Sequence, residues 1–324
     1  LYIPTTEKIY CIGPAEPQTK ATPRPEPIAE TPVSEDQTPA WVQISPNEVL
    51  VKPGDKVAFK VRLYNKKGQF LKDATDAAFT LAPVDAMSKA PAGGFGEIKD
   101  GVYTAPAAPN TVGLHVEAKV GELKGMARVR IVPPLPWKFT FDDKQIPLAW
   151  IGMRGRNVVR EVEGDPMLVK VTTIPKGTRS QGWFGPTNLR DYTIQADVFG
   201  TEKDGKMPDI GLTAQRYRFD LMGEHQKIRL YSWIAHEIKY KEFPFTWKPN
   251  VWYTMKFKVH VEQRDGEAVA VLQGKIWPRG EKEPAEWTCE ATEFDPDLEG
   301  SPGLFGNAKD AEIFYDNVTV TPNE

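Results

Sequence analysis

Residues 209–233 read DIGLTAQRYRFDLMGEHQKIRLYSW, and their reading decides the fold. Two strand-like runs flank a turn at Met222-Gly223-Glu224. In the second run Ile228, Leu230 and Ile234 fall on one face, and Lys227, Arg229, Tyr231 and Trp233 on the other. Alternation with a period of two marks a strand buried on one side only. An ordinary solvated strand face carries Thr, Ser, Glu and Lys. Two large aromatics among cations make an unusual wet face, which reads as a binding surface.

Outward from this stretch, residues 135–324 show strand patterns at short intervals: WKFTFD, NVVREVE, MLVKVTTI, YTIQADVF, EIKYKEF, WYTMKFKVHVEQ, AVAVLQGKIW and AEIFYDNVTV. None has the period of an amphipathic helix, and eight of the nine tryptophans lie here. Long strands in this number predict two packed sheets in a jelly roll. Residues 41–134 carry shorter strands with turns at Pro53-Gly54-Asp55 and Asn65-Lys66-Lys67-Gly68, the pattern of a smaller sandwich. Residues 14–40 alternate proline with Glu, Thr, Lys and Ala. Such a segment has almost nothing apolar to bury and reads as a semi-rigid spacer. Residues 1–13 hold one or two short strands, too little to fold alone. Only Pro133 to Pro136 separate the two sandwiches before Trp137. Each proline fixes φ, so this joint predicts one rigid unit anchored by the tryptophan.

The chain of 324 residues has a net charge of −3, which gives no reason to expect nucleic acid or an anionic membrane as partner. No apolar run is long enough for a transmembrane segment. Cys11 and Cys289 each lie in or beside a strand pattern and read as buried thiols, with a disulfide as the alternative.

Three stretches carry resemblances. GVYTAP, at residues 101–106, precedes two last strands as it does in bacterial immunoglobulin-like domains. FTFDD, then QGWFGPTNLRDYTIQADV, GLTAQRYRFDLMG, WYTMKFKV and a terminal IFYDNVTV follow the order of concanavalin A-like or laminin G-like sandwiches. The variant they resemble occurs in secreted bacterial proteins beside keto-disaccharide-hydrolase-type domains. IYCIG resembles the last strand of a blade in propellers of the pyrroloquinoline-quinone-repeat type. Together these imply an all-β chain: a propeller-blade remnant at 1–13, an immunoglobulin-like domain at 41–134 and a concanavalin A-like jelly roll at 135–324. They also imply the C-terminal part of a longer exported protein, periplasmic or on the cell surface, with an upstream propeller as partner.

The chemistry narrows the function. Retaining glucanases of this sandwich carry a Glu-x-Asp-x-x-Glu strand that sets two carboxylates across the scissile bond. The nearest run here, Glu161-Val162-Glu163, has the wrong spacing. No nucleophile elbow, zinc-protease helix or phosphate loop occurs. Sugar sites need a flat aromatic and forked hydrogen-bonding groups. Arg229, Tyr231 and Trp233 supply both on one strand. Trp252, Lys256, Lys258 and His260 point outward from the strand that buries Tyr253, Met255, Phe257 and Val259, and Gln195 points outward from another. If these strands share one sheet, a single wet surface collects all eight residues for a glycan or cell-surface component. Asp142 and Asp143 in the first jelly-roll strand and Asp316 on the last would meet if those strands pair. The related carbohydrate-binding sandwiches imply a structural Ca2+ there. The leading expectation is a non-catalytic binding region. The alternatives are a sugar-active hydrolase or lyase, implied by the neighbouring family, and a structural docking module.

Overall fold

The structure, a computed structural model, describes residues 2–4, 9–12, 26, 35–84, 94–107, 111–171, 178–233 and 238–323. Every regular element among them is a strand, so the chain is all-β as the alternation predicts. In chain order these are β1 (Tyr2–Pro4), β2 (Ile9–Cys11), β3 (Trp41–Ser45), β4 (Glu48–Val51), β5 (Lys56–Ala58), β6 (Lys60–Tyr64), β7 (Phe70–Ala74), β8 (Ala78–Pro83), β9 (Glu97–Lys99), β10 (Val102–Thr104), β11 (Val112–Val120) and β12 (Leu123–Ile131). The larger unit continues with β13 (Trp137–Phe139), β14 (Trp150–Ile151), β15 (Asn157–Val162), β16 (Asp165–Lys170), β17 (Arg179–Phe184), β18 (Tyr192–Gly200), β19 (Asp209–Ala214) and β20 (Tyr217–Met222). It ends with β21 (Lys227–Trp233), β22 (Ile238–Pro244), β23 (Trp252–Arg264), β24 (Glu267–Pro278), β25 (Cys289–Phe294), β26 (Gly303–Asn307) and β27 (Ile313–Pro322).

The larger unit is a sandwich of two sheets. One has seven strands in the order β14-β17-β26-β19-β20-β21-β22. The other has eight, in the order β15-β16-β27-β18-β23-β24-β25, with β13 also pairing with β27. Alternation explains the layering. Ile194, Ala196 and Val198 of β18 and Met255, Phe257 and Val259 of β23 meet Leu212, Phe219, Leu221, Ile228 and Leu230 from the other sheet in one cluster. The rings of Phe219 and Phe257 bridge the sheets with centroids 5.8 Å apart. Cys289 lies in this core as a free thiol, pushed up to about 12 by burial. The side chain of Cys11 lies outside the described residues.

The smaller unit holds β3-β6-β7, β4-β12-β11-β8 and β5-β10-β9 around a second cluster that includes Ile44, Val61, Tyr103, Leu114 and Val129. At the joint, Trp137 is buried and its indole N–H donates to Pro133 O at 2.8 Å. Arg130 Nε of β12 donates to Leu148 O at 3.3 Å. Gly113 of β11 leaves room for the Leu148 side chain, since a Cβ there would lie 1.5 Å from Leu148 Cδ2. β1 and β2 pair with each other, and no propeller sheet occurs among the described residues.

Two local readings need correction. Residues 209–222 form two strands, β19 and β20, where the sequence suggests one. The hairpin between them turns at Gln215-Arg216, with φ of 47° and 70°. Two-residue turns of this hand normally use Asn-Gly, because side chains disfavour positive φ by roughly 1–2 kcal/mol per residue. Gln215 offsets this by burial in hydrogen bonds: its side-chain amide donates to Leu298 O at 3.1 Å and its backbone N–H to Tyr192 Oη at 2.8 Å. The second correction concerns β17 and β26, which the strand reading omits. β26 is GLFGN, with glycines that read as loop. Both serve close packing: a Cβ at Gly303 would lie 2.3 Å from Gly182 O, and one at Gly306 2.8 Å from Ile313 Cδ1.

Candidate functional site

The register of the seven-stranded sheet sets its outer face as a grid. Across β17, β26, β19, β20, β21 and β22, one row reads Trp183, Gly303, Thr213, Arg218, Tyr231, Tyr240. The next reads Gln181, Phe305, Gly211, Asp220, Arg229, Glu242. The third begins Arg179, Asn307, Asp209. Small residues in the middle of the first two rows open a groove of about 540 Å³. Trp183, Gln181, Arg179, Phe305, Arg218, Arg229 and Tyr231 all border it.

Asp220 organises the floor. It is fully buried and accepts from Arg218 Nε at 2.6 Å and Nη2 at 2.8 Å, and from Arg229 Nη2 at 2.9 Å. A carboxylate shared by two guanidiniums in fork geometry fixes both planes. Gly211 is required beneath it, since a Cβ there would lie 2.5 Å from Asp220 Oδ1. Arg218 is further held between rings, its guanidinium carbon 3.7 Å from the Phe305 centroid and 4.8 Å from that of Tyr231. Arg229 lies 5.2 Å from the Tyr231 centroid. Its Nε is buried without a hydrogen-bond partner among the described residues.

Asp209, at the end of the groove, accepts from Asn307 Nδ2 at 3.2 Å and from the Gly223 backbone N–H at 3.1 Å. Burial pushes its pKa up despite these bonds. Arg216 at the rim pairs with Asp297 at 2.9 Å. The groove therefore offers an open aromatic in Trp183, 44% exposed, a rigid arginine pair and the amides of Gln181 and Asn307.

The eight residues expected from sequence do not form one surface. Arg229 and Tyr231 border the groove; Trp233 extends the same strand, but its side chain lies outside the described residues. Gln195, Trp252, Lys256, Lys258 and His260 belong to β18 and β23 of the eight-stranded sheet, on the opposite side of the sandwich. The cause is pairing: β18 and β23 bond to each other, whereas β21 bonds to β20 and β22. Outward residues of the two sheets point away from the shared core and from each other. On that far face Gln195 and Lys256 are cross-strand partners, Lys256 pairs with Glu283 at 3.0 Å, and His260 Nε2 lies 3.5 Å from Glu262. Trp252 packs on Phe199 at 5.2 Å, with Arg279 stacked 4.1 Å over its ring. Sequence reading missed Trp183, Gln181, Arg179, Phe305 and Asn307, all contributed by β17 and β26. The usable signal was the outward parity of Arg179, Gln181 and Trp183 in RSQGWF.

The proposed metal donors are also separated from a common site. β13 does pair with β27, through Trp137↔Val320, Lys138↔Thr319 and Phe139↔Val318. Asp142 and Asp143 lie beyond that strand and accept from Thr140 and from the Gln145 backbone. Asp316 instead faces Asp197, its cross-strand partner, with Asn317 Nδ2 donating to both at 2.8 and 3.0 Å. Among the described residues no three His, Cys, Asp or Glu side chains converge as a metal-holding group.

No family model matches the chain, and no curated protein does. Among solved structures it is similar to the carbohydrate-binding module CBM66 from Bacillus subtilis, at 13% identity over 53% of this chain and 95% of that one, with a TM-score of 0.38. It is similar to lectin UEA-II complexed with galactose, at 11% identity over 59% and 99%, with a TM-score of 0.37. Sheep galectin-11 in complex with glycerol matches at 11% identity over 46% and 99%, with a TM-score of 0.30.

Proposed function

We propose that the chain is a glycan-binding, non-catalytic region of an exported protein, and that the groove on the seven-stranded sheet is its site. The observation that carries this reading is the pairing of the open Trp183 ring with a pre-set arginine pair across one groove. An indole face accepts the apolar face of a pyranose, and fixed forked donors suit neighbouring sugar oxygens. Rigid groups lose little entropy when they engage a ligand. Among the described residues one carboxylate, Asp209, lines the groove, whereas glycoside hydrolysis ordinarily uses two flanking the bond. Glycan arrays followed by calorimetry on the 324-residue chain test the reading. Binding weakened at least about tenfold by Trp183→Ala, a loss of about 1.4 kcal/mol, is the expected result. Absence of binding to every glycan, or full binding by the variant, would refute it.

A further inference from the structure

Arginine dominates the groove. Arg179, Arg216, Arg218 and Arg229 line it, against the single lining carboxylate of Asp209 among the described residues. Behind the lining, Asp220 answers Arg218 and Arg229 together, and Asp297 answers Arg216. Among the described residues, four guanidiniums thus meet three carboxylates, which leaves one positive charge. The excess has a location. Asp220 is one charge against two arginines, both fixed within the sheet. Arg179, exposed at the opposite rim, has no carboxylate partner within 4.0 Å among the described residues.

The donors have a shape as well as a charge. Arg218 spends Nε and one Nη2 bond on Asp220, and its plane is locked between Phe305 and Tyr231. Arg229 spends one Nη2 bond, which leaves its buried Nε unpartnered on the same floor. A neutral hydroxyl supplies one acceptor in an adjustable direction. A carboxylate supplies two coplanar acceptors and the missing negative charge, the combination a guanidinium fork matches.

We propose that the groove selects an acidic saccharide, with a sugar carboxylate seated against Arg229 and Arg218 while its ring lies on Trp183. This rests on the glycan reading above and names the chemical class of its ligand. Arg179 steers the anion and adds a second contact at the rim. Partial occupancy of the site by salt bridges within the protein does not exclude this, because Arg218 and Arg229 retain N–H groups beyond those given to Asp220.

The test uses matched polysaccharides. Uronate-containing pectin, alginate and glucuronoxylan oligosaccharides are each compared with their carboxyl-reduced forms, with neutral gluco- and mannooligosaccharides, and with chondroitin sulfate. Binding to the chain is measured at two salt concentrations. The expected result is at least one uronate ligand that binds tenfold or more tightly than its carboxyl-reduced form and weakens in salt. Arg179→Gln, an exposed change that leaves the floor intact, should weaken it about threefold or more. Arg229→Gln should reduce the preference for the acid over its reduced form, with thermal unfolding recorded to establish that the variant is folded. Equal binding of acid and reduced forms overturns the acidic-ligand proposal and leaves the glycan reading standing. A preference for the sulfate ester alone overturns the carboxylate geometry. Binding to no saccharide overturns both.

Discussion

The two outer faces of the large sandwich use the same residue types to opposite ends. On the seven-stranded sheet Arg218 stacks on Phe305, 3.7 Å from the ring centroid, and shares Asp220 with Arg229. On the eight-stranded sheet Arg279 stacks on Trp252 at 4.1 Å and lies 4.0 Å from both Asp197 and Asp316. The first arrangement sets two cations on one carboxylate; the second sets one cation between two carboxylates. The aromatics differ in the same way. Trp183 stands open at the groove, whereas Trp252, Phe199 and Phe314 pack into a satellite cluster with Met167 and Val169. A wet Trp-Arg strand becomes a binding surface or a structural lock according to what its neighbours bring.

The largest expected effect lies at the centre of the groove. Asp220→Ala leaves two guanidiniums without their shared buried carboxylate, and breaking such a pair costs about 3–5 kcal/mol. Urea unfolding of wild type and variant should show this loss; a change below about 1 kcal/mol would mean that the network is peripheral to the fold.

Next come the two tryptophans, which should separate stability from binding. Trp252→Ala removes a ring packed in the satellite cluster and should cost about 2–4 kcal/mol, with ligand affinity retained. Trp183→Ala should stay within about 0.5 kcal/mol of wild type in stability while losing affinity. The reverse pattern in parallel melting and titration experiments would exchange the roles assigned to the two faces.

A smaller effect is expected at Asp316. Burial first, then the charges of Asp165 and Asp197, raises its pKa to about 6 in the folded protein. A carboxyl that binds its proton more tightly when folded stabilises most below its unfolded pKa, near 4, and that contribution fades as pH rises through about 6. Wild type should therefore lose on the order of 1–2 kcal/mol from this group between pH 4 and pH 7. Asp316→Asn should flatten that part of the profile and be the more stable form at pH 7, as read by chemical unfolding across the range. Identical slopes in the two proteins would contradict the assignment.

The layering was legible in the sequence because period two is a local property. β21 and β23 carry it in nearly every residue, and the structure follows it: Ile228, Leu230, Met255, Phe257 and Val259 are all in the core. The groove was half legible. Arg229 and Tyr231 come from a strand whose own alternation displays them. Trp183 and Phe305 come from strands disguised by glycines, whose purpose is backbone approach between neighbours and so is visible only once those neighbours are placed. Joining β23 to the site failed for a related reason. Parity tells which residues point outward from a strand, but sheet membership is decided by long-range pairing, here β23 with β18 and β24. The Gln215-Arg216 turn was hidden likewise, since its support comes from Tyr192 and Leu298, far away in the chain.

The most direct test of the account follows the indole N–H signals of Trp183 and Trp252 by NMR, each assigned by substitution, during titration with the tightest saccharide found. One ring sits on each face, so a single spectrum compares them. The account predicts that the Trp183 signal shifts with saturation while the Trp252 signal stays in place. Movement of Trp252 with Trp183 unmoved would place the ligand on the eight-stranded sheet and contradict the central claim.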